Sequence, residues 1–128
     1  MQRSRQLTEA EFGQLVEEAL ASLPAEFRPY MENVSVEIQL RPTRDSFASL
    51  KVPPGGLVLG IYVGVPLTKK TVSAPLNLPD QIVLFQRNIE AVCESRREIV
   101  RRVRRTVLHE VGHHFGLDER RLKELGYG

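Results

Sequence analysis

The sequence predicts an α+β fold: a small mixed sheet of at least three strands packed against one long helix, with N-terminal helices covering what remains. Three observations carry this. Val34–Leu40, Leu57–Val65 and Gln81–Phe85 are apolar runs of strand length. Residues 96–115 carry apolar side chains at helical spacing behind a capping box. Two shorter helical stretches precede the first strand, between Thr8 and Tyr30.

Taken in order, residues 1–7 read as a loose leader. Thr8 and Glu11 form a T-x-x-E capping box, and Phe12, Leu15, Val16, Ala19 and Leu20 then fall along one helical face. Pro24 ends that helix and suits the first turn of a second one through Phe27 and Tyr30. Val34–Leu40 alternates apolar and polar residues, as a strand with one wet face does. Residues 41–56, with Pro42, Pro53, Pro54, Gly55 and Gly56, form a loop long for so small a domain, either a rim or lid over a cleft or a disordered segment. Leu57–Val65 is the second strand, with Gly60 and Gly64 suited to a bulge or a close backbone approach. A Pro-containing link, residues 66–80, leads to Gln81–Phe85. Ser95 and Glu98 cap the long helix, whose buried stripe is Ile99, Val100, Val103, Val107 and Val111.

With 128 residues, the chain suffices for a single domain over residues 1–128 with one core. No apolar run is long enough to span a membrane, and the basic start lacks the apolar segment of a signal peptide. Cys93 is the only cysteine, so no internal disulfide forms. Together these points favour a cytoplasmic protein. The net charge of +2 implies no nucleic-acid partner by itself. Arg96, Arg97, Arg101, Arg102, Arg104 and Arg105 crowd one helix; without interleaved aromatics they read as a solvated face rather than a nucleic-acid platform.

The chemistry concentrates in His109-Glu110-Val111-Gly112-His113, continued through Gly116 to Asp118. Histidines four apart lie on one helix face and can hold one zinc ion, each at about 2.0–2.1 Å. Glu110 stands about 100° round the helix from His109 and about 60° from His113, beside the metal without ligating it. That is where a general base takes a proton from water. Gly116 can adopt the left-handed conformation that stops a helix, so the chain turns back and Asp118 can reach the metal as third ligand. A fourth position stays open for water, as in catalytic zinc sites. Glu119 is the alternative ligand if the turn is one residue longer. Asp118 could instead cap a last helix through Leu122 and Leu125 ended by Gly126, a role that competes for the same oxygens. His114 falls toward the buried stripe and is read as a packed or hydrogen-bonded residue.

This run resembles the zincin metallopeptidases, in the extended form H-E-x-x-H-x-x-G-x-x-D with Asp in place of the commoner third His. By size and order of segments the chain is similar to a family of small bacterial zincin-like metallopeptidases with a compact, matrix-metalloproteinase-like fold. The similarity extends to Leu59–Leu67 and Gln81–Arg87 and covers most of residues 24–125. The metzincins carry a methionine turn after the third ligand; here ten residues follow Asp118 and none is Met.

The resemblance implies one zinc per chain on His109, His113 and Asp118, a peptide or protein substrate, and hydrolysis by a metal-activated water with Glu110 as base. Tyr62 is a candidate oxyanion donor, or else an aromatic packed on its strand. The strand at 57–65 is the candidate edge on which an extended peptide is held. Two other classes compete: a non-catalytic metal-binding module on the same fold, and a basic interaction protein using the arginine face. Glu110 argues for the enzyme, because a structural metal site has no use for it.

Overall fold

A computed structural model describes residues 6–43, 57–64 and 80–125. Their elements run α1 (Glu9–Ala21), a 3₁₀ turn (Ala25–Phe27), α2 (Arg28–Met31), β1 (Val34–Gln39), β2 (Gly60–Val63), β3 (Asp80–Phe85), α3 (Gln86–Ala91), α4 (Arg96–His114) and α5 (Glu119–Glu124). Most of the loop at 41–56, all but Asp80 of the link at 66–80 and the chain end with Gly126 lie outside the described residues.

The sheet is mixed, in the order β1-β3-β2. β1 pairs parallel with β3 from Val34↔Asp80 to Gln39↔Phe85, and β2 pairs antiparallel with it from Gly60↔Leu84 to Val63↔Gln81. The unbroken apolar run Ile82-Val83-Leu84-Phe85 suits the central strand, since both its faces are covered and all four residues are buried. Ile82 and Leu84 join one core with Phe12, Leu15, Val16 and Ala19 of α1 and Ile99, Val103, Val107 and Val111 of α4. The stripe expected on the long helix is thus the buried one, with Val100 packed at its margin.

The first capping box forms in full, whereas at the second only the Ser95 half forms, because the Glu98 carboxylate accepts instead from Glu94 N at 2.9 Å. The Thr8 hydroxyl accepts from Glu11 N at 3.0 Å while Glu11 accepts from Thr8 N at 2.9 Å. The Ser95 hydroxyl accepts from Glu98 N at 3.0 Å. Three features differ from the sequence expectation. β2 is shorter than 57–65, although Leu59 still accepts from Phe85 N at 2.9 Å. α3 follows β3 directly; its six residues are too few for a periodic signal, and buried Ile89 anchors it. Leu7, placed in the loose leader, is tied down: its N–H donates to Glu90 at 3.1 Å and its carbonyl accepts from Gln86 at 3.0 Å. Cys93 is buried, and burial, aided by Glu98, pushes its thiol up to about 11, so it stays protonated and unreactive. No helix among the described residues is long and apolar enough to cross a membrane.

Gly60 sets how closely β2 approaches α4. A Cβ there would meet Thr106 Cγ2 and the Val83 carbonyl oxygen, each at 3.0 Å. The backbone oxygen cannot move aside without disturbing the ladder. Gly60→Val is therefore expected to destabilise the fold by about 1–3 kcal/mol, the usual scale of overpacking, measured by urea denaturation.

Candidate metal centre

The site is built at the C-terminal end of α4. The helix closes in a Schellman arrangement: Leu117 N donates to Gly112 O at 2.9 Å and Gly116 N to His113 O at 3.1 Å. Gly116 has φ +85°, the left-handed conformation that glycine adopts without a Cβ clash. The chain thereby reverses and α5 folds back on α4. Gly112 makes room, since a Cβ there would stand 2.6 Å from Leu122 Cδ2, and Leu122 is fully buried.

Reversal carries a carboxylate to the histidine pair. His109 and His113 lie with ring centroids 4.2 Å apart. Glu119 Oε2 is 3.2 Å from His113 Nε2 and 3.9 Å from His109 Nδ1. One donor atom from each residue lies within 4.8 Å of the others. Ligands about 2.0–2.1 Å from a tetrahedral zinc are separated by about 3.3–3.4 Å, so small side-chain adjustments bring all three onto one ion. Two imidazoles and a carboxylate are a donor set that suits zinc. All three side chains are a third to a half exposed, which leaves a face open to water and substrate. Burial, then the neighbouring His113, lowers the pKa of His109 and favours the neutral form that ligates metals.

Glu110 sits beside this group, half-buried, and burial raises its pKa against the opposing pull of His113. It lines a cleft of about 330 Å³ together with His109 and residues 57–60.

Asp118 is not where the sequence reading put it. Its Oδ1 accepts from Arg121 N at 2.9 Å and caps α5. The cap takes its oxygens along its own helix axis, the competition foreseen above, and the next residue turns toward the histidines instead. His114 is packed, as expected, but not where the stripe would put it. It lies at the last position of α4 and is exposed rather than within the buried stripe. Its ring stacks on Tyr62 at 3.9 Å, and its Nε2 lies 3.8 Å from Asp80 Oδ2. Tyr62 donates its hydroxyl to Asp80 Oδ2 at 2.7 Å, and burial with this bond raises the phenol's pKa. That commits the hydroxyl to β3 rather than to an oxyanion.

A family model described as zincin-like metallopeptidase matches residues 31–128. The chain belongs to that family. Among solved structures it is similar to a conserved hypothetical protein from Thermo thermophilus, with 25% identity, a TM-score of 0.54, and coverage of 84% of this chain and 94% of that one. No curated protein matches the chain. The zincin motif also shows how Glu119 was legible. In H-E-x-x-H-x-x-G-x-x-D two residues separate the glycine from the acid, and from Gly116 that count passes Leu117 and Asp118 and lands on Glu119. Matching the letter Asp instead of the spacing stops one residue short.

Because Leu122 fills the space over Gly112, Gly112→Ala is expected to push α5 outward. The variant should lose about 1–3 kcal/mol of stability and bind zinc more weakly than the parent, read by urea denaturation and a metal titration on the same samples.

Proposed function

We propose that this protein is a zinc-dependent peptidase whose metal is held by His109, His113 and Glu119, one ion per chain, with Glu110 as general base. The convergence of those three donor atoms beside a half-buried carboxylate carries the reading. Family membership supports it. A bound zinc supplies a Lewis acid for the scissile carbonyl and acidifies its water toward neutral pH. Glu110 accepts the proton of the attacking water and passes it to the leaving amine. Its half-buried setting suits this shuttle, since burial moves its pKa toward neutrality, where a base both takes and returns a proton readily. Among the described strands β2 forms one margin of the sheet, beside the cleft, and offers backbone groups to an extended peptide.

Glu110→Gln keeps the shape and removes the proton acceptor. It is expected to retain one zinc per chain by elemental analysis and to lose at least about 10²-fold in cleavage of a peptide library. Full activity in this variant would remove Glu110 from the mechanism.

The ligand assignment separates two adjacent residues. Glu119→Ala should weaken zinc binding by at least about 10–100-fold, a loss that even outer-shell substitutions reach. Asp118→Ala should keep the metal and cost about 0.5–2 kcal/mol of stability through the lost cap. Competition titration against a chelator, with thermal unfolding in parallel, distinguishes them. The reverse pattern would return the third ligand to Asp118.

A further inference from the structure

The cleft beside the candidate centre has two unlike walls. Leu57 and Val58 lie on one side, and Arg102 and Arg105 on the other, with His109 and Glu110 at its end. Val58 is fixed by its carbonyl, which accepts from Asn88 at 2.7 Å. Arg102, Arg105 and His109 follow one another at spacings of three and four residues on α4, so they share one helix face. Two other arginines of the helix lie toward α1: Arg96 is 3.7 Å from Glu11, and Arg104 Nε donates to Ser22 O at 3.5 Å. The arginine-rich helix thus sends its charge two ways, part toward α1 and part into the cleft.

Distances along the helix convert this into a substrate register. At 1.5 Å per residue, Arg105 stands about 6 Å and Arg102 about 10 Å from His109 along the axis. An extended peptide advances about 3.3–3.4 Å per residue. For a peptide lying along the helix axis, Arg105 and Arg102 therefore stem from positions level with the second and third residues from a bond held at the centre. Glu110, at the catalytic end, is the one carboxylate among the described residues that line the cleft.

We propose that Arg102 and Arg105 are specificity residues that select peptides with an acidic side chain two or three residues from the scissile bond, a reading that rests on the peptidase assignment above. An arginine presents a planar fork of donors that matches a carboxylate. Among the described residues the lining includes no Phe, Tyr or Trp ring on which bases would stack, which favours an acidic peptide over a nucleic acid.

The test uses the zinc-loaded full chain and three fluorescein-labelled decapeptides of alternating Ala and Glu, Ala and Gln, or Ala and Lys. Anisotropy reads binding, and mass spectrometry of an unbiased peptide library reads cleavage. The Glu peptide should bind about three- to tenfold more tightly than the Gln peptide, and the difference should shrink with added salt, as expected for half-exposed ion pairs. Arg105→Gln should reduce the ratio, Arg102→Gln/Arg105→Gln should abolish it, and Arg102→Glu/Arg105→Glu should invert it toward the Lys peptide. Equal binding of the Glu and Gln peptides by the parent protein would overturn the proposal. So would a preference that survives the double Gln substitution, or displacement of the Glu peptide by an oligothymidylate at lower concentration. Acid-selective binding without cleavage of any library peptide would overturn the peptidase reading and leave the charge selection standing. Cleavage without acidic preference would overturn the selection alone.

Discussion

The site depends on one reversal of the chain. α4 supplies two imidazoles on one face and can supply no more, because the next helical position, His114, leaves the axis in another direction. The third donor must come from beyond the helix end. The positive φ of Gly116 and the paired bonds to Gly112 and His113 set the angle of return, and the absence of a side chain at Gly112 sets its depth. Leu122 and Leu125 then seat α5 by burial. A six-residue helix has little stability of its own, so packing and the Asp118 cap hold Glu119 in place. Asp118 and Glu119 divide the labour: one secures the helix start, the other faces the histidines.

A second set of contacts joins the helix end to the sheet. Tyr62 of β2, Asp80 at the start of β3 and His114 form a compact trio, through a stack and a short hydrogen bond. His114 therefore serves the architecture of the zincin-like site without belonging to the donor group. Gly60, a little earlier on β2, brings the same strand against Thr106. The strand margin and the long helix are thus joined at two points, and the cleft runs beside the contact of Gly60 with Thr106.

Much of this was readable from residues alone. The T-x-x-E and S-x-x-E boxes mark helix starts because a hydroxyl accepts the otherwise unpaired N–H groups there. The spacing of Ile99, Val103, Val107 and Val111 marks the buried face, and the run Ile82–Phe85 marks a strand covered on both sides. His109 and His113 follow from helical geometry. What escaped had no local signal or a misread one. α3 is too short to show periodicity and is held by Leu7, nearly eighty residues away in sequence. The exposure of His114 depends on α4 stopping at that very residue. The choice between Asp118 and Glu119 turns on a single residue of register, and there the spacing after Gly116 is a better guide than the residue type.

The parallel pairing of β1 with β3 has a kinetic consequence. Val34 meets Asp80, so the sheet cannot be completed until everything between them has been closed into a loop. Loop closure of this length is entropically costly before it is rewarded, and such non-local contacts form slowly. The α1–α4 packing is longer in range still, while the turn from α4 to α5 is wholly local. The donor group at the end of α4 can therefore assemble early. The cleft wall, made by β2, which among the described strands pairs with β3 alone, is completed late, and the order of assembly runs from the turn that carries the donor group outward to the cleft.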